Sequence, residues 1–156
     1  MNEQEIYDAL SRNYSDAISE FAADGKMPFA IVRSNRLKDV MRELRSHPEL
    51  AFDFLASISG VDLKDRIEVV YHLFSLIKKQ RFTVKVCLER ENPEIDTVTD
   101  IWPGANWHER EAFDLVGVRF RGHPDLRRIL LAEDWQGHPL LKDYTFPDEY
   151  HGISNW

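Results

Sequence analysis

The fold class predicted by this sequence is α+β: an antiparallel sheet with helices packed on one face, followed by an irregular extended C-terminal segment. Three observations predict it. From Phe82 to Glu89 the residues alternate, with Phe82, Val84, Val86 and Leu88 on one side and Thr83, Lys85 and Glu89 on the other, as in a strand whose sheet has one wet face. Leu37, Val40, Met41 and Leu44 fall at helical spacing and form a single apolar stripe. The last stretch, about 35 residues, keeps no sustained period, yet it carries Trp135, Tyr144, Phe146, Tyr150 and Trp156.

Taken in order, Glu3 to Asn13 reads as a helix on Ile6, Ala9, Leu10 and Asn13, with Asn2 and Glu5 placed for a capping box. A strand over Ala17 to Ala22 is expected to pair with Phe29 to Arg33 through a turn at Asp24-Gly25, the alternative being a helix continued through Phe21. Asn35 to Ser46 is a helix stopped by Pro48. Phe52 to Ser59 reads as a short helix closed by Gly60. Ile67 to Ile77 and Phe82 to Glu89 are strands joined by Lys78-Lys79-Gln80. Asp96 to Trp102 fits a short helix or a strand equally. After the Pro103-Gly104 turn, Asn106 is placed to cap a helix running to Val116, with Glu109 completing a capping box and Gly117 as terminator. Val118 to Arg121 alternates like a strand. The expected division is a core over residues 1–120 and an extended docking segment of the same domain over residues 121–156.

Composition narrows function. At 156 residues with 43% hydrophobic and 30% charged, the chain is ordinary globular protein. A net charge of −7 argues against nucleic acid as a partner, since phosphate neutralisation needs a basic face. No apolar run approaches the roughly 20 residues of a membrane span, and the acidic opening Met1-Asn2-Glu3-Gln4-Glu5 is unlike a signal peptide. A cytosolic protein, reaching a membrane only through partners, is therefore expected. Cys87 is the only cysteine, too few for an intrachain disulfide or an iron–sulfur cluster, and its place in a strand suggests a half-buried structural role. The seven glycines form neither GxGxxG nor a P-loop, so no nucleotide cradle is encoded.

The run His108-Glu109-Arg110-Glu111 invites a metal reading, but Ala112 stands where the second histidine of HExxH would be. A metal-dependent hydrolase using His108, Glu109 and Glu111, with His123 or His138, is the weaker alternative. Consecutive helical residues project about 100° apart, so Glu109, Arg110 and Glu111 cannot all face water on a helix that packs against its own sheet. At least one should pair with the downstream arginines or with another chain. Those arginines, Arg119, Arg121, Arg127 and Arg128, are accompanied by a single acid, Asp125, and suit forked pairing with carboxylates. Trp107 and Phe113 beside the charges favour an interface. Two Gly-His-Pro turns, 122–124 and 137–139, push His123 and His138 into extended conformations and fix the path of the segment, with no chemistry required of the rings.

The run Glu109-Arg110-Glu111-Ala112-Phe113-Asp114-Leu115-Val116, then His123, then Arg127-Arg128-Ile129-Leu130, resembles the signature of the thirty-kilodalton or C subunit of NADH:quinone oxidoreductase, respiratory complex I. The flanks Thr99 to Trp107, Glu133 to Tyr144 and Phe52 to Asp62 are similar too. The resemblance implies a free-standing peripheral-arm subunit that binds no cofactor itself, FMN and iron–sulfur clusters lying in partner subunits. It implies docking to the quinone-site or D subunit, with the B and I subunits as neighbours, at the cytoplasmic face of the cell membrane. An equivalent docking subunit of a membrane-bound hydrogenase or ferredoxin-dependent complex is the alternative. The expected partner interface comprises Trp107, Glu109, Arg110, Glu111, Asp114, Arg119, Arg121, His123, Arg127, Arg128, Trp135, His138 and Tyr144.

Overall fold

The capping box at Asn2 and Glu5 forms as expected. It opens α1 (Glu3–Tyr14), which buries Ile6 and Leu10. The structure is a computed structural model describing residues 1–23 and 27–154. Next come β1 (Ile18–Ala22) and β2 (Phe29–Val32), paired antiparallel. The expected strand pair is present and the helix does not continue through Phe21. The Asp24-Gly25 turn lies outside the described residues. A short 3-10 turn, Ser34–Arg36, leads into α2 (Leu37–Ser46), which buries the predicted stripe of Leu37, Val40, Met41 and Leu44.

The expected helix over Phe52 to Ser59 is instead a strand, β3 (Phe54–Asp62). The misreading has a physical cause. The register with β4 (Arg66–Ser75) shifts between Leu55 and Ser57, a bulge that inserts Ala56. Leu55 and Ile58 therefore both point into the core three residues apart, which mimics helical spacing, although the segment is a strand of the sheet. β4 pairs along its length with β5 (Gln80–Glu89). The sheet order is β1-β2-β5-β4-β3. One pair departs from the antiparallel expectation: β2 and β5 run parallel, because α2 carries the chain across the sheet to its far edge before the β3-β4-β5 meander returns it.

The helices cover the face built by Ala30, Leu55, Ile58, Val69, Tyr71, Leu73, Phe82, Val84 and Val86, all buried. Cys87 is exposed, not half-buried, since it lies on the face of β5 turned away from the helices. β6 (Glu94–Asp96) pairs parallel with β7 (Arg119–Arg121), and between them in the chain lies α3 (Ala105–Val116). The stretch left undecided around Asp96 to Trp102 thus ends a strand and then turns. α3 packs on β3 at Gly60, where an added Cβ would lie 3.2 Å from Val116 Cβ. Beyond β7 the only regular structure among described residues is a hairpin of two-residue strands, β8 (Glu149–Tyr150) and β9 (Ile153–Ser154).

Candidate docking surface

The three consecutive charges of α3 leave the helix in three directions, as their spacing requires. Glu109 is fully buried, Arg110 is half-buried and Glu111 is exposed. Glu109 forms no capping box. The helix is capped at Gly104 without a side-chain bond, and Asn106 lies inside its first turn. The carboxylate instead reaches back to the loop after β6. Val98 N donates to Oε1 at 2.8 Å and Thr97 Oγ1 to Oε2 at 2.5 Å. Burial pushes the Glu109 carboxyl up to about 7, against the opposing effect of those two donors. His123, its ring equally enclosed, approaches Oε2 at 3.9 Å and makes its contact at 3.2 Å with the Asn106 carbonyl.

Asp114 is the centre of the extended segment. Its buried carboxylate accepts the backbone amides of Ile129, Leu130 and Leu131 on Oδ2 at 3.1, 2.8 and 2.9 Å, and Arg128 on Oδ1 at 2.7 Å. Burial alone would raise this carboxyl, but the three amides and the guanidinium together hold it below the usual carboxylate range. Arg128 continues outward, donating to the carbonyls of Trp135 at 2.7 Å and Gly137 at 3.0 Å. Arg110 donates to the carbonyls of Arg127 and Arg128 at 3.2 and 3.0 Å. Of the arginine cluster, Arg128 is thus the one paired to the helix.

The remaining arginines have local partners. Arg119 contacts Asn92 and Glu94, Arg121 bonds Asp96 at 2.9 Å, and Arg127 bonds Asp125 at 2.9 Å. His138 sets its ring against Gly117, the C-cap of α3 at φ 86°. A Cβ there would meet His138 Cδ2 at 2.7 Å, so both the left-handed backbone and the close ring call for glycine. His138 Nδ1 meets the Asp114 carbonyl at 2.9 Å, Leu140 N donates to Leu115 O, and Tyr144 Oη donates to Gln136 O at 2.9 Å. Trp135 packs in a tilted arrangement on Tyr150, centroids 5.1 Å apart.

A second carboxylate anchors the segment further on, at a position that sequence reasoning missed. Asp62, at the end of β3 with its side chain buried, takes a forked pair of bonds from Arg90 at 2.8 and 2.9 Å, and the amides of Lys64 and Lys142 at 2.8 Å each. Arg90 also reaches Asp143 at 2.6 Å. Arg90 chiefly, with the two amides, holds Asp62 far below its ordinary range against the cost of burial. Charges at strand ends carry no periodic signal, so only contact across the fold reveals this anchor.

With these groups turned inward, what faces outward is Trp107, 68% exposed, with Glu111 on the same helix, and Leu130 and Leu140 on the segment, 62% and 56% exposed. The two leucines were not among the predicted residues. Among the described residues no group of three or more His, Cys, Asp and Glu side chains is placed to hold a metal ion.

The comparisons with known proteins agree with the signature in α3 and the segment after it. The family described as "Respiratory-chain NADH dehydrogenase, 30 Kd subunit" matches residues 30–150. The chain belongs to that family. It is 42% identical over 151 residues to the C subunit of NADH-quinone oxidoreductase from Chlorobium phaeobacteroides, covering 94% of this chain and 91% of that one. The corresponding C subunit of a Roseiflexus species is 46% identical over 144 residues, 88% of this chain and 81% of the relative. A solved structure, the trypsin-resistant fragment (1–134) of Nqo5, superposes with a TM-score of 0.69 at 32% identity, over 81% of this chain and all of that one. The resemblance read from Glu109 to Leu130 is therefore correct at the level of the family, and the mixed α+β fold with it. As a thirty-kilodalton-subunit homologue, the chain falls within respiratory-chain NADH dehydrogenase, complex I.

Proposed function

We propose that this chain is a non-catalytic peripheral-arm subunit of NADH:quinone oxidoreductase that docks the quinone-site D subunit, with the B and I subunits as neighbours, on the cytoplasmic face of the membrane. The FMN and iron–sulfur clusters that carry electrons from NADH to quinone belong to partner subunits. No helix among the described residues is long and apolar enough to cross a membrane, which fits a peripheral place in a hetero-oligomer.

One observation carries the docking reading. Arg110, Asp114 and Arg128 are used inside the chain to hold the segment after α3, and Trp107, Leu130 and Leu140 are large apolar side chains left outward, with Glu111 exposed on the same helix. Exposed aromatics and leucines on a pre-ordered surface are the composition of an interface core. Arg119, Arg121 and Arg127, each exposed or nearly so, form the rim. Glu109, Arg110, Asp114, His123, Arg128 and His138 contribute by shaping this surface through their internal bonds.

The test is a double variant, Trp107→Ala with Leu130→Ala, in the intact membrane complex. Both side chains are exposed, so the isolated chain should keep its thermal midpoint. Co-purification with the other subunits, and NADH:quinone reductase activity of the membranes, should fall at least about tenfold, since losing two interface anchors costs on the order of 2 kcal/mol or more. Unchanged yield and activity would overturn the docking surface.

A further inference from the structure

The described C-terminal residues fold back to make a pocket that the docking surface above does not use. It is a cavity of about 500 Å³ among Asp134, Trp135, Tyr144, Glu149, Tyr150 and His151. Its walls are aromatic: Trp135 lies 5.1 Å from Tyr150 and Tyr144 lines it with them, while Phe146, outside the lining, stands edge-on to Tyr144 at 5.0 Å and to Trp135 at 6.5 Å. Two carboxylates line it, Asp134 and Glu149, and among the described residues no Lys or Arg does.

The geometry points to a protein partner: this pocket receives a lysine or arginine side chain from a basic segment of a neighbouring subunit. The inference rests on the reading that the chain works inside a multi-subunit complex. Electron-rich ring faces within a few ångströms of one another attract a cation, and the lining carboxylates of Asp134 and Glu149 steer it in. The same carboxylates repel phosphate, anionic lipid headgroups and other acids, which leaves a basic side chain as the fitting occupant. The pocket is also ordered before anything enters it. Arg128 holds the carbonyls of Trp135 and Gly137, Arg90 holds Asp143, and Tyr144 Oη donates to Gln136 O. Tyr150 Oη and His151 Nε2 both engage Asp134, at 2.6 and 2.7 Å, which fixes the floor. A partner therefore meets walls already in place, with little ordering cost on this side.

The experiment places a photo-cross-linker in the assembled complex as Thr145→p-benzoylphenylalanine, an exposed position lining the pocket. After irradiation, mass spectrometry should show the linker joined to another subunit's peptide, with Arg or Lys within a few residues of the attachment. Adding Glu149→Lys should lower the yield of that product about tenfold, and Glu149→Gln should lower it less. Attachment to a second copy of this chain, to lipid, or to a segment without basic residues would overturn the proposal, as would no attachment. Absence of the chain from the purified complex would instead defeat the docking function itself, and the two failures are told apart by the purification alone.

Discussion

The five-stranded sheet and the segment after β7 are ordered by opposite means. In the sheet, stability comes from apolar side chains buried between strands and helices, with hydrogen bonds running in ladders. From Arg121 to Ser154 no described apolar side chain is fully buried, although Leu126 and Leu141 rest against the core. That segment is instead tied down by two carboxylates belonging to the core, Asp114 and Asp62, which together accept five backbone amides from elsewhere, four of them in the segment. A chain without its own hydrophobic core can thus hold one path when buried acids reach out to its backbone, and the side chains spared from packing are free to face a partner.

The largest expected effect tests that division. Asp114→Ala removes the acceptor for three amides and leaves Arg128 without its buried partner, a loss of about 3–5 kcal/mol. Hydrogen exchange at Ile129, Leu130 and Leu131 should quicken at least about a hundredfold, and trypsin should cut after Arg127 and Arg128, while the amides of Tyr71 and Val84 keep their protection. Equal loss of protection in the sheet would mean that both regions unfold together.

This contrast explains what was legible in the sequence. Periodicity reports burial on one face, so α1, α2 and β5 could be read from it, whereas β4 was legible as a β-rich run and the strand pair β1-β2 from the turn signal between them. β3 failed because a single bulged residue, Ala56, broke the alternation. The parallel pairing of β2 with β5 failed because strand order depends on a crossover, which no local pattern records. In the candidate site, the geometric argument that three consecutive helical charges cannot all face water held, since Glu109 is buried. Its partners, Thr97 and the Val98 amide, and the role of Asp62 arise only from tertiary contact.

Acid should separate the carboxylate that anchors the segment from the one that does not, because Asp114 and Glu109, both on α3, are shifted in opposite directions. Glu109 keeps its proton to about pH 7 in the folded chain. The unfolded chain releases it near about 4.3. Its contribution to folding is then greatest at low pH and is lost as pH rises between those values, by at most about 4 kcal/mol. Asp114 is lowered, so its contribution is present above the ordinary carboxylate range and is lost as pH falls through the lowered value. Glu109→Gln, which mimics the protonated acid, should flatten the decline in urea midpoint between about pH 5 and 7.5. Denaturation curves for both proteins check this, and an unchanged slope would show that Glu109 does not hold its proton.

The smallest expected effect concerns the outer end of the second anchor. Asp143 bonds Arg90 at 2.6 Å, but its side chain is 68% exposed, and exposed ion pairs contribute about 0–1 kcal/mol. Asp143→Asn should therefore shift the thermal midpoint little and leave the Lys142 amide protected, because Arg90 and that amide remain on buried Asp62. Asp62→Asn should expose the Lys142 amide to exchange, although it changes no more atoms. If Asp143→Asn loosened the segment as much as Asp62→Asn, the segment would depend on a surface pair that salt can screen. Repeating the exchange measurement in high salt decides between the two, since a buried carboxylate holds its amides under conditions that dissolve an exposed pair.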